Sequence, residues 1–159
     1  MKLLIQISLI TLSCLFPKIV FSQNFTFTDS TFQEGNKFIT YNIIFDFARD
    51  SFRENDTKMV DSLVDFCKAN PNLVIEIGVH SDGRGSNHYA TSLTVKRANT
   101  IRDYLIQNGI LEDYIIAKGY EGRNLLISTE EIENLKTQEE KEKAHQKNRR
   151  IEITILKMD

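Results

Sequence analysis

The chain reads as an α/β sandwich, with helices packed on a small mixed sheet in the order β-α-β-α-β-(α)-β. Three observations predict this. Apolar residues alternate at period two in Leu73-Val-Ile-Glu-Ile-Gly-Val-His80 and again around Ile151, Ile153 and Ile155. Residues 54–69 and 94–108 show helical spacing instead. Strand-like and helix-like stretches alternate along the chain, with turn residues between them.

Taken in order, residues 24–38 alternate weakly at Phe25, Phe27 and Phe32, which suggests a short lead-in with one edge strand. Residues 39–45 are β-branched and aromatic and predict a strand. A helix is expected from about Glu54 to Ala69, with Asn55 or Asp56 as its cap; Asn70-Pro71-Asn72 stops it, because proline disfavours helical geometry in the residue before it. On this helix Met59, Val60, Leu63, Val64 and Cys67 share one face, so Cys67 reads as a small core residue rather than a nucleophile.

In the second strand, about 73–80, Leu73, Ile75, Ile77 and Val79 face one way, and Val74, Glu76, Gly78 and His80 the other. The second long helix is expected from Thr94, capped by Thr94 or Ser92, to Asn108, where Gly109 suits the left-handed position that ends a helix. A third strand covers about 114–118 and a last one 148–156. Between them, residues 128–147 are dense in Glu and Lys, and Ser128-Thr-Glu-Glu131 has the form of a capping box, so this stretch reads as a solvated helix.

The first 22 residues have the layout of a secretory signal peptide: Lys2, an apolar run from Leu3 to Cys14, and Val20-Phe21-Ser22 before a cleavage point at Gln23. The apolar run is too short and too interrupted for a stable membrane span. Lipidation at Cys14 is a rival reading, but Thr11 stands where lipoprotein signals usually carry Leu, and apolar character continues to Phe21. Taking 22 residues from 159 leaves 137, enough for one domain with its own core. Lys2 and Lys18 leave with the signal, so 18 basic side chains face 22 acidic ones, a net charge of −4. A mildly acidic domain is a poor nucleic-acid binder, since that binding rests on phosphate neutralisation. Only Cys67 remains, so no internal disulfide is expected.

The candidate site is an acid and a base. Asp82 ends the second apolar run, followed by Gly83-Arg84-Gly85. Arg97 lies about 40° from Ile101 and about 80° from Leu105 on a helical wheel, at the edge of the apolar arc. An arginine drawn inward needs a negative partner. With the helix starting near Thr94, Arg97 would sit in its first turn, where free backbone N–H groups and the helix dipole favour a carboxylate or phosphate. Arg97 adds a two-pronged bond, Asp82 suits an ammonium group, and the glycines would admit a ligand close to the backbone. From the residues alone two arrangements are open: a clamp for a ligand carrying both charges, or a structural pair between Asp82 and Arg97.

Five ordered motifs then resemble the OmpA-like C-terminal peptidoglycan-binding domain, as found in OmpA, Pal and MotB: Asp82-Gly-Arg-Gly85, Leu93-Thr-Val-Lys-Arg-Ala98, Tyr104-Leu105 with Asn108-Gly-Ile110, Ala117-Lys-Gly-Tyr120, and Asn148-Arg-Arg-Ile-Glu-Ile153. Ile43-Ile-Phe-Asp-Phe47 and Asn70–Gly78 match its first strands. The resemblance implies a domain over 39–157, after a signal peptide (1–22) and a lead-in (23–38). It implies non-covalent binding of peptidoglycan stem peptides in the periplasm or outer membrane of a Gram-negative bacterium, without catalysis or cofactor. Asp82 and Arg97 would hold the two ends of diaminopimelate, with Ser81, Gly83, Thr94 and Arg149 supporting the groove and Arg150 on the opposite side of its strand. The partners implied are peptidoglycan and outer-membrane or envelope proteins, with membrane contact only through a lipidated Cys14.

Three positions depart from the family pattern: Ala90 stands for the usual Asn, Glu121-Gly122 reverses the usual Gly-Glu, and Leu125 replaces a common Pro. Two other readings compete. One is a scaffold subunit, like Pal-like lipoproteins, with weak or lost peptidoglycan binding. The other is metal or hydrolase chemistry at His80, Asp82 and His88, for which the sequence offers no zinc-protease spacing.

Overall fold

The structure is a computed structural model, and it describes residues 24–42, 45, 46, 48–53, 57–84 and 87–158, without the side chains of 87–91. The expected signal peptide and Cys14, the caps Asn55 and Asp56, Ile43-Ile44, and the side chains of His88 and Ala90 lie outside those residues.

Four strands form one mixed sheet: β1 (Lys37–Thr40), β2 (Leu73–His80), β3 (Ile115–Glu121) and β4 (Ile151–Met158), in the order β1-β4-β2-β3. β4 lies antiparallel to both β1 and β2, while β2 and β3 are parallel. A parallel pair needs a crossover, and α2 (Asn87–Gln107) supplies it. α1 (Lys58–Ala69) packs against α2, which covers β2 and β3. The order is the β-α-β-α-β-(α)-β expected, except that the charged stretch folds as two short helices, α3 (Thr129–Glu133) and α4 (Gln138–Asn148).

The alternation in β2 and β4 explains the core. Ile75, Ile77 and Val79 of β2 and Ile151, Ile153 and Ile155 of β4 are buried with Val60, Leu63 and Val64 of α1 and Ala98, Ile101 and Leu105 of α2. Each fully buried isoleucine contributes about 1.5–3 kcal/mol relative to exposure. Cys67 joins this core, and burial pushes its thiol pKa up to about 12, which leaves it inert at neutral pH.

On the other face of the sheet the polar side chains of Glu76, His80, Arg150 and Glu152 are buried, paired with one another and with neighbouring groups, the Asn124 carbonyl among them. Tyr120 Oη donates to Glu76 Oε1 at 2.6 Å, and its ring stacks on His80 at 4.8 Å between centroids. Gly78 leaves room for that ring: a Cβ there would stand 3.1 Å from it. Lys37 Nζ and Arg150 Nε donate to the two oxygens of Glu152, at 2.8 and 2.7 Å. Arg150 therefore faces away from Arg149's cluster, as expected.

Several boundaries differ from the sequence reading. The lead-in is part of the fold: Phe25 is buried against Phe66 and Phe32, and β1 begins at Lys37 rather than 39. Residue 45 lies beyond β1 and makes only an isolated bridge, Phe45 to Phe52. β3 extends to Glu121, and residue 148 belongs to α4, so β4 starts at 151. The capping box at Ser128 and Glu131 forms, and a second, Thr137 with Glu140, starts α4. Gly109 takes the left-handed conformation after α2, at φ +92°.

Candidate functional site

The main correction concerns α2. It begins at Asn87, seven residues before Thr94. Arg97 therefore sits roughly three turns into the helix. There the backbone N–H groups are used within the helix, and the dipole effect, confined to the end turn, is lost. Thr94 is not a cap. It is buried at the contact with β3, where a Cβ on Gly119 would meet Val95 N at 2.4 Å and Thr94 Oγ1 at 2.6 Å. Thr94 thus belongs to the helix–sheet interface, not to an open groove wall.

Arg97 is held by the connection between β1 and α1. Its Nε donates to the Arg49 carbonyl at 2.9 Å and its Nη2 to the Asp46 carbonyl at 3.1 Å. The guanidinium carbon lies 5.0 Å from the centre of the Phe45 ring. Phe45 stacks on Phe52, whose ring meets Tyr104 edge-on, and Tyr104 Oη donates to Asp61 of α1 at 2.6 Å. These carbonyls and rings are uncharged, and they orient the guanidinium through elements distant in sequence.

Asp82 stands at the exit of β2 in a different cluster. Its Oδ1 accepts the Arg84 backbone N–H at 3.1 Å. Its Oδ2 accepts Arg84 Nε at 3.0 Å, Arg84 Nη2 at 2.7 Å, and Arg149 Nη1. Glu142 of α4 closes the ring, accepting Arg84 Nη1 at 2.9 Å and Arg149 Nη2 at 2.8 Å. Two acids and two bases alternate, so the ring is formally neutral. Burial acts to raise the Asp82 pKa, but the Arg84 and Arg149 hydrogen bonds outweigh it and hold the carboxyl below its ordinary value. Bonds from Arg149 and then Arg84 lower that of Glu142. Asp82 and Arg97 are each built into a separate system, and the staple left open by the sequence is not what secures either one.

The loops around Asp82 are set by backbone contact. Gly83 takes φ +77°, and a Cβ on Gly122 would fall 2.4 Å from Gly83 Cα. Leu125 lies over the same glycine, with Cδ2 3.7 Å from where a Gly83 Cβ would be. The reversed Glu121-Gly122 order thus has a local reason: position 122 must be bare to touch Gly83. The consequence is that Glu121 adopts φ +52°, a left-handed conformation costly for a side-chain-bearing residue. The Ser81 N–H donates to the Glu121 carbonyl at 2.8 Å, tying the loop after β2 to the end of β3. Arg149 lies on Asp82.

Sequence reasoning missed Glu142, the carbonyls of Asp46 and Arg49, and Arg84 as a partner of Asp82. Glu142 lay in a charge run with no local mark of its role, 58 residues from Arg84. The Arg84 contact was readable, since an Asp two residues before an Arg in a glycine turn readily folds back on it. As for metals, no cluster of three or more His, Cys, Asp or Glu side chains suited to one occurs among the described residues, and His80 lies beneath Tyr120.

A four-stranded mixed sheet with α1 and α2 packed on its core face, and charged clusters on the loops after β2 and β3, defines a small α/β domain with its ionic chemistry at the strand exits. The OmpA family profile matches residues 44–149, two thirds of the chain, and the chain belongs to that family. It is 30% identical over 83 residues to outer membrane porin F of Pseudomonas aeruginosa, covering 52% of this chain and 24% of the porin. It is 28% identical over 100 residues to the peptidoglycan-binding protein ArfA of Mycobacterium bovis, covering 63% of this chain and 28% of ArfA. The chain thus spans about a quarter of the length of these relatives. Among solved structures, a MotB-like protein from Desulfovibrio vulgaris shares the fold, with a TM-score of 0.64, 16% identity, and coverage of 81% of this chain and 78% of that one.

Proposed function

We propose that this domain binds peptidoglycan non-covalently, through the diaminopimelate residue of its stem peptides, in the periplasm or at the outer membrane. Asp82 would take the ligand's ammonium group and Arg97 its carboxylate. The observation that carries this reading is the position of Asp82, a side-chain carboxyl held by arginine N–H groups at a strand exit between two glycine-containing loops, in a chain of the OmpA family. Support for Arg97 no longer comes from a helix terminus. It comes from the preorganised guanidinium, since fixing a side chain before binding lowers the entropy cost of binding. The peptidoglycan-binding relative ArfA supports the ligand class. A signal peptide over residues 1–22 and envelope partners belong to the same proposal, and neither catalysis nor a cofactor enters it.

Isothermal titration with a diaminopimelate-containing tripeptide stem tests it. Asp82→Asn and Arg97→Gln should each reduce affinity by at least about tenfold, the scale of one lost charge-assisted bond. Because Arg97 also ties down the 45–53 connection, its variant is compared only if its melting transition is retained. Wild-type affinity in both variants would remove Asp82 and Arg97 from the site.

A further inference from the structure

Asp82 as described has no simple vacancy for a ligand ammonium: Oδ2 receives three guanidinium N–H groups from two arginines. The two arginines are not equivalent. Arg149 caps α4, with its backbone N–H on the His145 carbonyl at 3.1 Å, and its guanidinium bridges Asp82 and Glu142. Arg84 rises from the loop after Gly83, and its side chain is 48% exposed against 32% for Arg149. If the Arg84 side chain swings away, its backbone N–H can stay on Oδ1, while Asp82 and Glu142 both keep Arg149. The ring is then left with one net negative charge beside Asp82.

We propose that Arg84 is an internal competitor for the ammonium subsite: its guanidinium occupies Asp82 in the free protein and must leave for a ligand ammonium to bind. This rests on the reading of Asp82 under Proposed function and deepens it, giving this chain a built-in setting of affinity. A ligand whose site is open only part of the time binds more weakly by that fraction. If Arg84 holds Asp82 for roughly two thirds to nine tenths of the time, removing it tightens binding by about three- to tenfold.

The test is titration of wild type, Arg84→Ala and Arg84→Gln with the diaminopimelate tripeptide stem and with the same stem acetylated on its distal amino group. Both variants should bind the free-amine stem about three to ten times more tightly, and neither should gain on the acetylated stem. Equal or weaker binding of the free-amine stem overturns the proposal, because Arg84 would then be neutral or a ligand contact. An equal gain on both stems also overturns it, since the change would be a general loosening of the loop. Adding Asp82→Asn separates the two readings: binding by wild type that survives in this variant removes Asp82 from the site, whereas loss in Asp82→Asn without a gain in the Arg84 variants removes only the competition. If neither wild type nor Arg84→Ala binds, both fall.

Discussion

Asn148 shows how much one side chain can hold. It is fully buried; its Oδ1 accepts the N–H groups of Leu126 and Ile127 at 2.8 and 3.0 Å, and its Nδ2 donates to the Ile127 carbonyl at 2.8 Å. It thereby pins the chain that leads from β3 to α3. Asn148→Ala would strand three backbone groups, so stability should fall by roughly 2–4 kcal/mol in urea denaturation. A loss under about 1 kcal/mol would mean the loop repairs itself with solvent. The sequence marked this asparagine only as part of a motif, since its partners lie more than twenty residues away. Asp82 was legible at this scale because its strand ended visibly beside it. The role of Arg97 was legible only in part, because facing is written in periodicity whereas its carbonyl partners on the 45–53 connection are not.

At the level of elements, the telling contact is α2 against β3. Gly119 lets the helix backbone come so close that a methyl group would overlap Val95 N at 2.4 Å. Gly119→Ala should therefore cost about 1–3 kcal/mol or more through overpacking, with the loss read as a lowered melting temperature. An unchanged melting temperature would show that α2 can shift outward freely. The start of α2 is also the boundary that the pattern placed wrongly. Residues 87–93 carry little apolar periodicity and several poor helix formers, so the pattern becomes clear only near Leu93. Local preference is therefore weak where the helix begins, and its first turns are not written in the sequence pattern. The charge-rich stretch teaches a related lesson: its capping box was readable, but Glu142's reach to Arg84 and Arg149 was not.

For the molecule as a whole, the buried polar face couples stability to pH. Burial first, then the nearby positive charge of Arg150, lowers the His80 pKa from 6.5 to about 4, with Glu152 and Glu76 opposing and Lys37 adding to the shift. A histidine depressed in the folded state binds protons more readily when unfolded. Its contribution to stability is complete above about pH 6.5 and is lost progressively as pH falls toward 4. The loss is on the order of 2–3 kcal/mol. His80→Phe keeps a ring for Tyr120 to stack on and removes the titration. The drop in melting temperature between pH 7 and pH 4.5 should shrink in that variant, and an unchanged drop would assign the acid sensitivity to the carboxylates instead. Asp82, Glu142 and Glu152, whose pKa values are all lowered, act in the same direction at lower pH, as each loses its charge.

The sequence by itself determined the α/β class, the two inward-facing isoleucine rows, the core position of Cys67, and an acid at a strand exit. Each of these follows from local chemistry: side-chain period, burial preference, or a glycine-bounded turn. Only the tertiary structure decided what the charges do. It moved Arg97 from a helix end to the body of α2, gave it backbone carbonyls from a distant connection, and closed Asp82 into a ring with Arg84, Glu142 and Arg149. The physical reason is range. Periodicity acts over a few residues and is printed in the chain, whereas an ionic partner is chosen by whichever elements the folded core brings within about 3 Å.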